Sequence, residues 1–285
     1  VLLGDAGLLA SRVDRMTVDL HPGPGTTWVL VGLDSRADLP DGASEAEFGS
    51  ARDVPGSRAD IVLVVHESDA GATTVVPVPR DLLVQAPGGR SRLALTWLEG
   101  PQETVDALCG LGIPSDHLVA VDLAGFVDVV DAAGGLTLDV PETVRDPLAG
   151  LHPIEEGTHE VDGRTALALV RSRHPEHLVD GRWVPAPVDP DARAEASGAV
   201  LQALVAEIGD SRWSPLRLQR LAWAASGSLT VDEESSIAEL ASLSAVEPGT
   251  VTMLPTRSPD PAAMVRFPDA ATREAVAAAG LSCSG

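Results

Sequence analysis

The sequence contains no lysine and no tyrosine, only three phenylalanines and only two cysteines. Positive charge is scarce as well, since 20 basic residues, all arginine, stand against 42 Asp and Glu for a formal net charge of -22. Such a surface repels nucleic acid and anionic lipid unless a local patch overrides it, so nucleic acid is excluded as a partner. No stretch approaches the ~20 unbroken apolar residues of a membrane-spanning helix. With 44% apolar and 22% charged residues, the chain is neither disordered nor collagen-like. An arginine-only basic set beside abundant Ala, Val and Gly is what a GC-rich genome encodes. The choice of Arg over Lys therefore says little, and the positions of the arginines carry the information.

Familiar motifs are missing too. There is no Gly-x-Ser-x-Gly elbow, His-Glu-x-x-His pair, Walker loop, dinucleotide fingerprint or Cys-Cys metal spacing. His152, His159, His174 and His177 offer no helical i, i+4 pair and read as solvated loop residues rather than metal ligands. Trp97 and Trp183 lie near arginine-bearing segments and read as packing residues or sugar platforms. Val1 opens the chain with no initiator Met, basic n-region or cleavage site, so the sequence reads as trimmed. Cys109 and Cys283 suit either a disulfide in an exported protein or two buried thiols in a cytosolic one. The disulfide is favoured because the terminal Ser-Cys-Ser-Gly would otherwise fray.

What is present is an alternation of strand and helix signals. Short β-branched runs bounded by Gly, Pro or Asp predict strands at Thr27–Leu33, Ile61–Val65, Thr74–Val78, Leu118–Val121 and Leu136–Val140. They are almost continuously apolar, as strands covered on both faces are. Helical spacing predicts helices at Glu103–Leu111, Leu123–Ala132, Thr165–Arg171, Ala192–Ile208, Pro215–Ala225, Ser236–Leu243 and Asp269–Ala279. The interleaving gives an α/β sandwich. With no repeat and no Gly/Ser linker, the 285 residues read as a single domain, 1–285. Asp38–Ser57, Asp146–Gly163 and Pro175–Pro190 read as long loops outside that core.

Arginines and aspartates recur at the ends of these elements: Asp34-Ser35-Arg36, Arg58-Ala59-Asp60, Pro79-Arg80-Asp81, Arg171-Ser172-Arg173 and Arg193. Singly, each is ordinary surface or capping charge. Together, several planar guanidinium forks and two carboxylates describe a site for a pyrophosphate with a divalent cation.

These segments resemble the LytR-CpsA-Psr family of cell-wall glycopolymer ligases. The match runs through Val-Leu-Val-Gly-Leu-Asp-Ser-Arg at 29–36, Arg-Ala-Asp-Ile at 58–61 and Val-Pro-Val-Pro-Arg-Asp at 76–81. It continues through Gly-Phe-Val-Asp-Val-Val-Asp-Ala-Ala-Gly-Gly-Leu at 125–136, Gly-Arg-Thr-Ala-Leu-Ala-Leu-Val-Arg-Ser-Arg at 163–173 and Val-Asp-Gly-Arg-Trp-Val at 179–184. The resemblance implies a three-layer α-β-α sandwich with a mixed central sheet, its core at about 16–255 and a C-terminal strand and helix extension over 250–285. It also implies an enzyme at the extracellular face of the bacterial membrane, anchored by a helix before Val1. Such an enzyme transfers a glycopolymer from a polyprenyl-pyrophosphate carrier to a peptidoglycan hydroxyl, forming a phosphodiester.

By position, Asp34 and Asp60 would hold Mg²⁺ or Mn²⁺, with Asp60 preferred as the proton relay. Arg58, Arg80, Arg171 and Arg173 would act in catalysis, and Arg36, Arg92 and Arg193 would join them in binding pyrophosphate. Ala196 and Ser197 stand where the family usually has Arg and Gln, and Val84 stands where some members have Lys. Arg92-Leu93-Ala94 replaces Lys-Ile-Asn. These departures keep two alternatives open: a weakened paralogue that binds the lipid-linked polymer, and a pyrophosphatase acting on the same carrier.

Overall fold

The β-branched run Thr26–Leu33 lies near the centre of a seven-stranded mixed sheet in the computed structural model of the chain. The structure describes residues 7–36, 39–40, 52, 55–186, 190–211, 214–243, 249–258 and 265–283, without the side chains of 190–195 and 211. The chain divides into two compact units. One comprises 1–35, 56–122 and 229–285; the other comprises 36–55 and 123–228.

In the first unit the strands run Asp14–Met16, Leu229–Asp232, His117–Val121, Thr26–Leu33, Ala59–Glu67, Thr73–Pro77 and Thr250–Val251 across the sheet. Thr26–Leu33 pairs antiparallel with Ala59–Glu67 and parallel with His117–Val121, which makes the sheet mixed as expected. Alternation sends Val29, Val31, Val62, Val64, Val76 and Leu118 to one face. There they meet Leu93 of the short helix Leu93–Thr96, Val105 and Leu108 of the helix Pro101–Cys109, and Val276 of the helix Ala270–Ala278. Trp28, Leu63, Val65 and Val119 on the opposite face are buried too, which is why these strands lack a polar alternation. Cys109 and Cys283 form a disulfide, so of the two states open to them the bridged one is found.

The second unit holds the helices Leu123–Ala133, Gly163–Arg171, Pro190–Ser211 and Pro215–Ser228. Val129, Ala133 and Leu221 pack together with Leu204 and Ile208. Gly163 begins its helix against the backbone of Val127, where a Cβ would lie 2.5 Å from the Val127 carbonyl oxygen. Gly135 at φ +92 approaches Val161, where a Cβ would lie 2.8 Å from the carbonyl oxygen, and opens the strand pair Leu136–Val140 and Gly157–Val161.

Two of the segments read as loops are structured. Asp146–Gly163 contains the turn Pro147–Ala149 and the strands Leu151–Ile154 and Gly157–Val161. Pro175–Pro190 contains the hairpin Glu176–Val179 and Arg182–Pro185, turning at Asp180 (φ 48) and Gly181 (φ 74). Leu151–Ile154, Val144–Asp146, Glu176–Val179 and Arg182–Pro185 form a four-stranded sheet with strands of only three or four residues. Such short, half-exposed strands lack the apolar runs that mark the central ones. Asp38–Ser57 lies for the most part outside the described residues.

Candidate functional site

Three candidate residues are joined through one carbonyl. The pairing of Thr26–Leu33 with Ala59–Glu67 shifts register after Gly32, so that Leu33 meets Ala59. The Arg58 carbonyl then accepts the N–H of Asp34 at 2.9 Å and the N–H of Asp60 at 3.0 Å. Asp34, which sequence placed at a strand end, is buried at 6% exposure, and the Arg58 side chain is half-buried.

Arg80 reaches the same place from the next strand. Val78 N–H donates to the Val62 carbonyl at 2.9 Å, carrying the pairing one step past Thr73–Pro77. Beyond it Arg80 Nη1 meets Asp60 Oδ1 at 2.6 Å, with the two side chains 16% and 21% exposed. Arg80 Nε is buried, makes no hydrogen bond among the described residues and lies 3.7 Å from Asp81 Oδ2. Arg92 Nη1 donates to Asp81 Oδ1 at 3.3 Å. Asp60, Arg80, Asp81 and Arg92 thus form one chain of alternating charge.

Main-chain bonds hold this chain in place. Ala94 N–H donates to the Arg80 carbonyl at 2.8 Å. Arg266, from the C-terminal segment, donates its N–H to Asp81 at 2.9 Å and accepts from Leu83 N–H at 2.7 Å. Val84 lies in the core at 3% exposure, so the position where some relatives place Lys offers no contact to an anion.

The second unit carries the other candidates. Arg171 ends the helix Gly163–Arg171, whose first turn is capped by Asp162 accepting from Thr165 N–H at 2.8 Å. Arg171 is half-buried, Arg173 is exposed and Arg36 is half-buried. Arg193 falls in the first turn of Pro190–Ser211, its side chain outside the described residues. On that helix Ala196 is exposed and Ser197 half-buried.

Asp146, which sequence reasoning did not single out, is fully buried behind the Arg171–Arg173 segment. Its carboxylate accepts from Ser172 Oγ at 2.8 Å, Arg173 N–H at 2.9 Å and His174 N–H at 2.8 Å. Burial pushes this carboxyl up, but the hydrogen bonds from His174, Ser172, Arg173 and Ala149 outweigh it and hold the group below its ordinary value. The one sequence hint is the Asp-Pro step at 146–147, a turn signal. Nearby, Arg145 pairs with Glu176 at 2.6 Å and lies 4.4 Å over the Trp183 ring.

Among the described residues no cluster of three or more His, Cys, Asp or Glu is arranged to hold a metal unaided. Asp34 and Asp60, whose N–H groups share the Arg58 carbonyl, carry hard carboxylate oxygens, the kind of donor of which Mg²⁺ takes one or two while water and substrate phosphates complete its shell.

Fold and site together define an α/β protein with arginine and aspartate side chains gathered at the ends of its central strands. The chain belongs to the LytR_cpsA_psr family, whose sequence model matches residues 12–242. It is 36% identical to the LytR-Csp2A-Psr enzyme from Actinomyces oris, with a TM-score of 0.79 over 95% of this chain and 97% of that one. It is 38% identical over 155 residues to the probable cell wall biosynthesis protein LcpB of Corynebacterium glutamicum, covering 52% of this chain and 36% of that protein. It is 27% identical over 155 residues to the polyisoprenyl-teichoic acid–peptidoglycan teichoic acid transferase TagT of Bacillus subtilis, covering 51% and 44%. The matches thus span less than half the length of these curated relatives.

Proposed function

We propose that the protein transfers a glycopolymer from a polyprenyl-pyrophosphate carrier to a peptidoglycan hydroxyl at the cell envelope, on the extracellular face of the membrane. The new bond joins the acceptor oxygen to the polymer-bearing phosphorus, and the bond that breaks is the pyrophosphate P–O, releasing polyprenyl phosphate. The observation that carries this reading is Arg80. Its guanidinium is ion-paired with Asp60 at 2.6 Å, while its buried Nε, 3.7 Å from Asp81, makes no hydrogen bond among the described residues. The name of TagT, a transferase of teichoic acid to peptidoglycan, supports the substrate class.

Phosphoryl transfer requires positioned charge more than a covalent protein intermediate. Arg58, Arg80 and Arg92 would grip the phosphates, and Arg36, Arg171, Arg173 and Arg193 are further candidates for that role. Asp60 takes the proton of the acceptor hydroxyl. Mg²⁺, held by Asp34 and Asp60, would neutralise phosphate charge and improve the leaving group.

The test supplies purified protein with Mg²⁺, lipid-linked polymer and a peptidoglycan oligomer, with Arg80→Ala alongside. A phosphodiester product that Arg80→Ala abolishes is expected. No transfer and no cleavage, with wild type and variant alike, overturns the reading. The uncharged Val84 and Ala196 favour a second reading, capture of the carrier without turnover, which tight binding and no product would support. Free polymer phosphate instead of conjugate would identify a pyrophosphatase.

A further inference from the structure

We propose that Asp146 is a positioning residue: it fixes the segment bearing Arg171 and Arg173 and thereby sets where those guanidinium groups meet a pyrophosphate. The inference rests on the reading above, in which these arginines bind that group. Asp146 ends the strand Val144–Asp146 and works as a clip with two sides. Oδ1 accepts Leu148 N–H at 3.1 Å and Ala149 N–H at 3.2 Å, capping the turn Pro147–Ala149. Oδ2 accepts Ser172 Oγ, Arg173 N–H and His174 N–H, three consecutive donors lying 26 to 28 residues further along the chain. Five donors on one fully buried carboxylate more than fill the roughly four lone-pair sites that its two oxygens offer.

The segment needs such a clip. The helix stops at Ser172, whose ψ of 122 leaves the helical region. Arg173 and His174 are exposed. Order resumes at Glu176, which pairs with Arg145 both in register and through the 2.6 Å ion pair. Between these points the Oδ2 bonds are charge-assisted, the stronger kind. An Asn at this position would turn one acceptor into a donor facing the same N–H groups.

The experiment is a double-mutant cycle on the full chain, with farnesyl pyrophosphate and Mg²⁺ as the probe, reading Kd and cleavage rate beside thermal unfolding. Ser172→Ala removes one donor, Ser172→Thr keeps the hydroxyl, and Asp146→Asn reverses one side of the carboxylate. Ser172→Ala is expected to weaken the probe about 5-fold and Asp146→Asn about 50-fold, the range of charge-assisted hydrogen bonds acting through a bound group. Ser172→Thr should bind as wild type. In an Arg171→Ala/Arg173→Ala background Ser172→Ala and Asp146→Asn should cost nothing further. Losses that persist in full in that background overturn the proposal, because the carboxylate then acts on the fold at large. If Asp146→Asn does not fold, the Ser172 cycle decides alone. An arginine double variant that binds as wild type overturns the pyrophosphate reading itself, a result separable from the first because it needs no change at Asp146 or Ser172.

Discussion

At the scale of single residues, Arg80 tests what a planar fork does that a point charge does not. It holds Asp60 through Nη1 while presenting Nε at a different angle, a division that lysine cannot reproduce. Arg80→Lys should therefore lower the proposed transfer by about 10²-fold in a steady-state assay, comparable with losing one preorganised donor, while thermal unfolding stays as in wild type. Buried acid–base groups set a second expectation. His66 is buried and accepts or donates at 3.0 Å to Thr27 Oγ1; desolvation lowers its pKa against the opposing pull of Asp116 and Asp69. The unfolded chain then binds more protons than the folded one as pH drops, so the stability His66 lends is present above its ordinary 6.5 and declines below it. Asp146, also lowered, keeps its contribution above 3.8 and loses it at still lower pH. Denaturant titrations from pH 8 to 5 should show falling stability that His66→Gln flattens; an unchanged slope in that variant would count against the assignment. The arginines were legible in sequence because each sits beside a strand or helix end where local pattern places it. Asp146 was not, because its donors lie far along the chain and only the folded backbone brings them to it.

At the scale of elements, the central strands were legible to within two residues because burial on both faces writes an unbroken β-branched run into the sequence. Glu176–Val179 and Arg182–Pro185 carry no such run, and their Asp-Gly turn at 180–181 was the only local signal. Gly-Gly at 134–135 and Gly163 were legible as motif and are explained by approach distance. Gly163→Ala would place a Cβ 2.5 Å from the Val127 carbonyl oxygen and should destabilise the protein by ~2 kcal/mol or more, measured by chemical denaturation. The C-terminal segment offers a different kind of test. Leu281 is buried at 3%, Cys283 N–H donates to Gly112 at 3.0 Å, and the disulfide closes a separation of 174 residues. Cys109→Ser/Cys283→Ser should cost about 2–5 kcal/mol. Because Arg266 in that segment brackets Asp81 and Leu83, the variant should also lose probe affinity before it loses the sheet, which hydrogen exchange at Leu83 would reveal.

At the scale of the whole molecule, a net charge of -22 surrounds a site proposed to receive an anion. Two electrostatic terms then oppose each other and depend differently on salt. Contacts of phosphate with largely covered guanidinium groups such as Arg80 are short-ranged and little screened, whereas repulsion of an approaching anion by the distributed carboxylates acts over distances that a Debye length of ~8 Å at physiological salt cuts off. Raising NaCl from roughly 10 to 150 mM should therefore speed association of farnesyl pyrophosphate, the reverse of what a basic phosphate-binding protein shows. Dissociation, governed by the covered contacts, should change less. Stopped-flow association across that series decides the matter: a rate that falls with salt would mean that the arginines dominate the field even at long range, and that the acidic excess is confined to surfaces the ligand never approaches. A rate that rises would assign the divalent cation a second purpose, since a pyrophosphate arriving already complexed with Mg²⁺ carries less charge into that field, and its association should respond to salt less steeply than that of the bare anion.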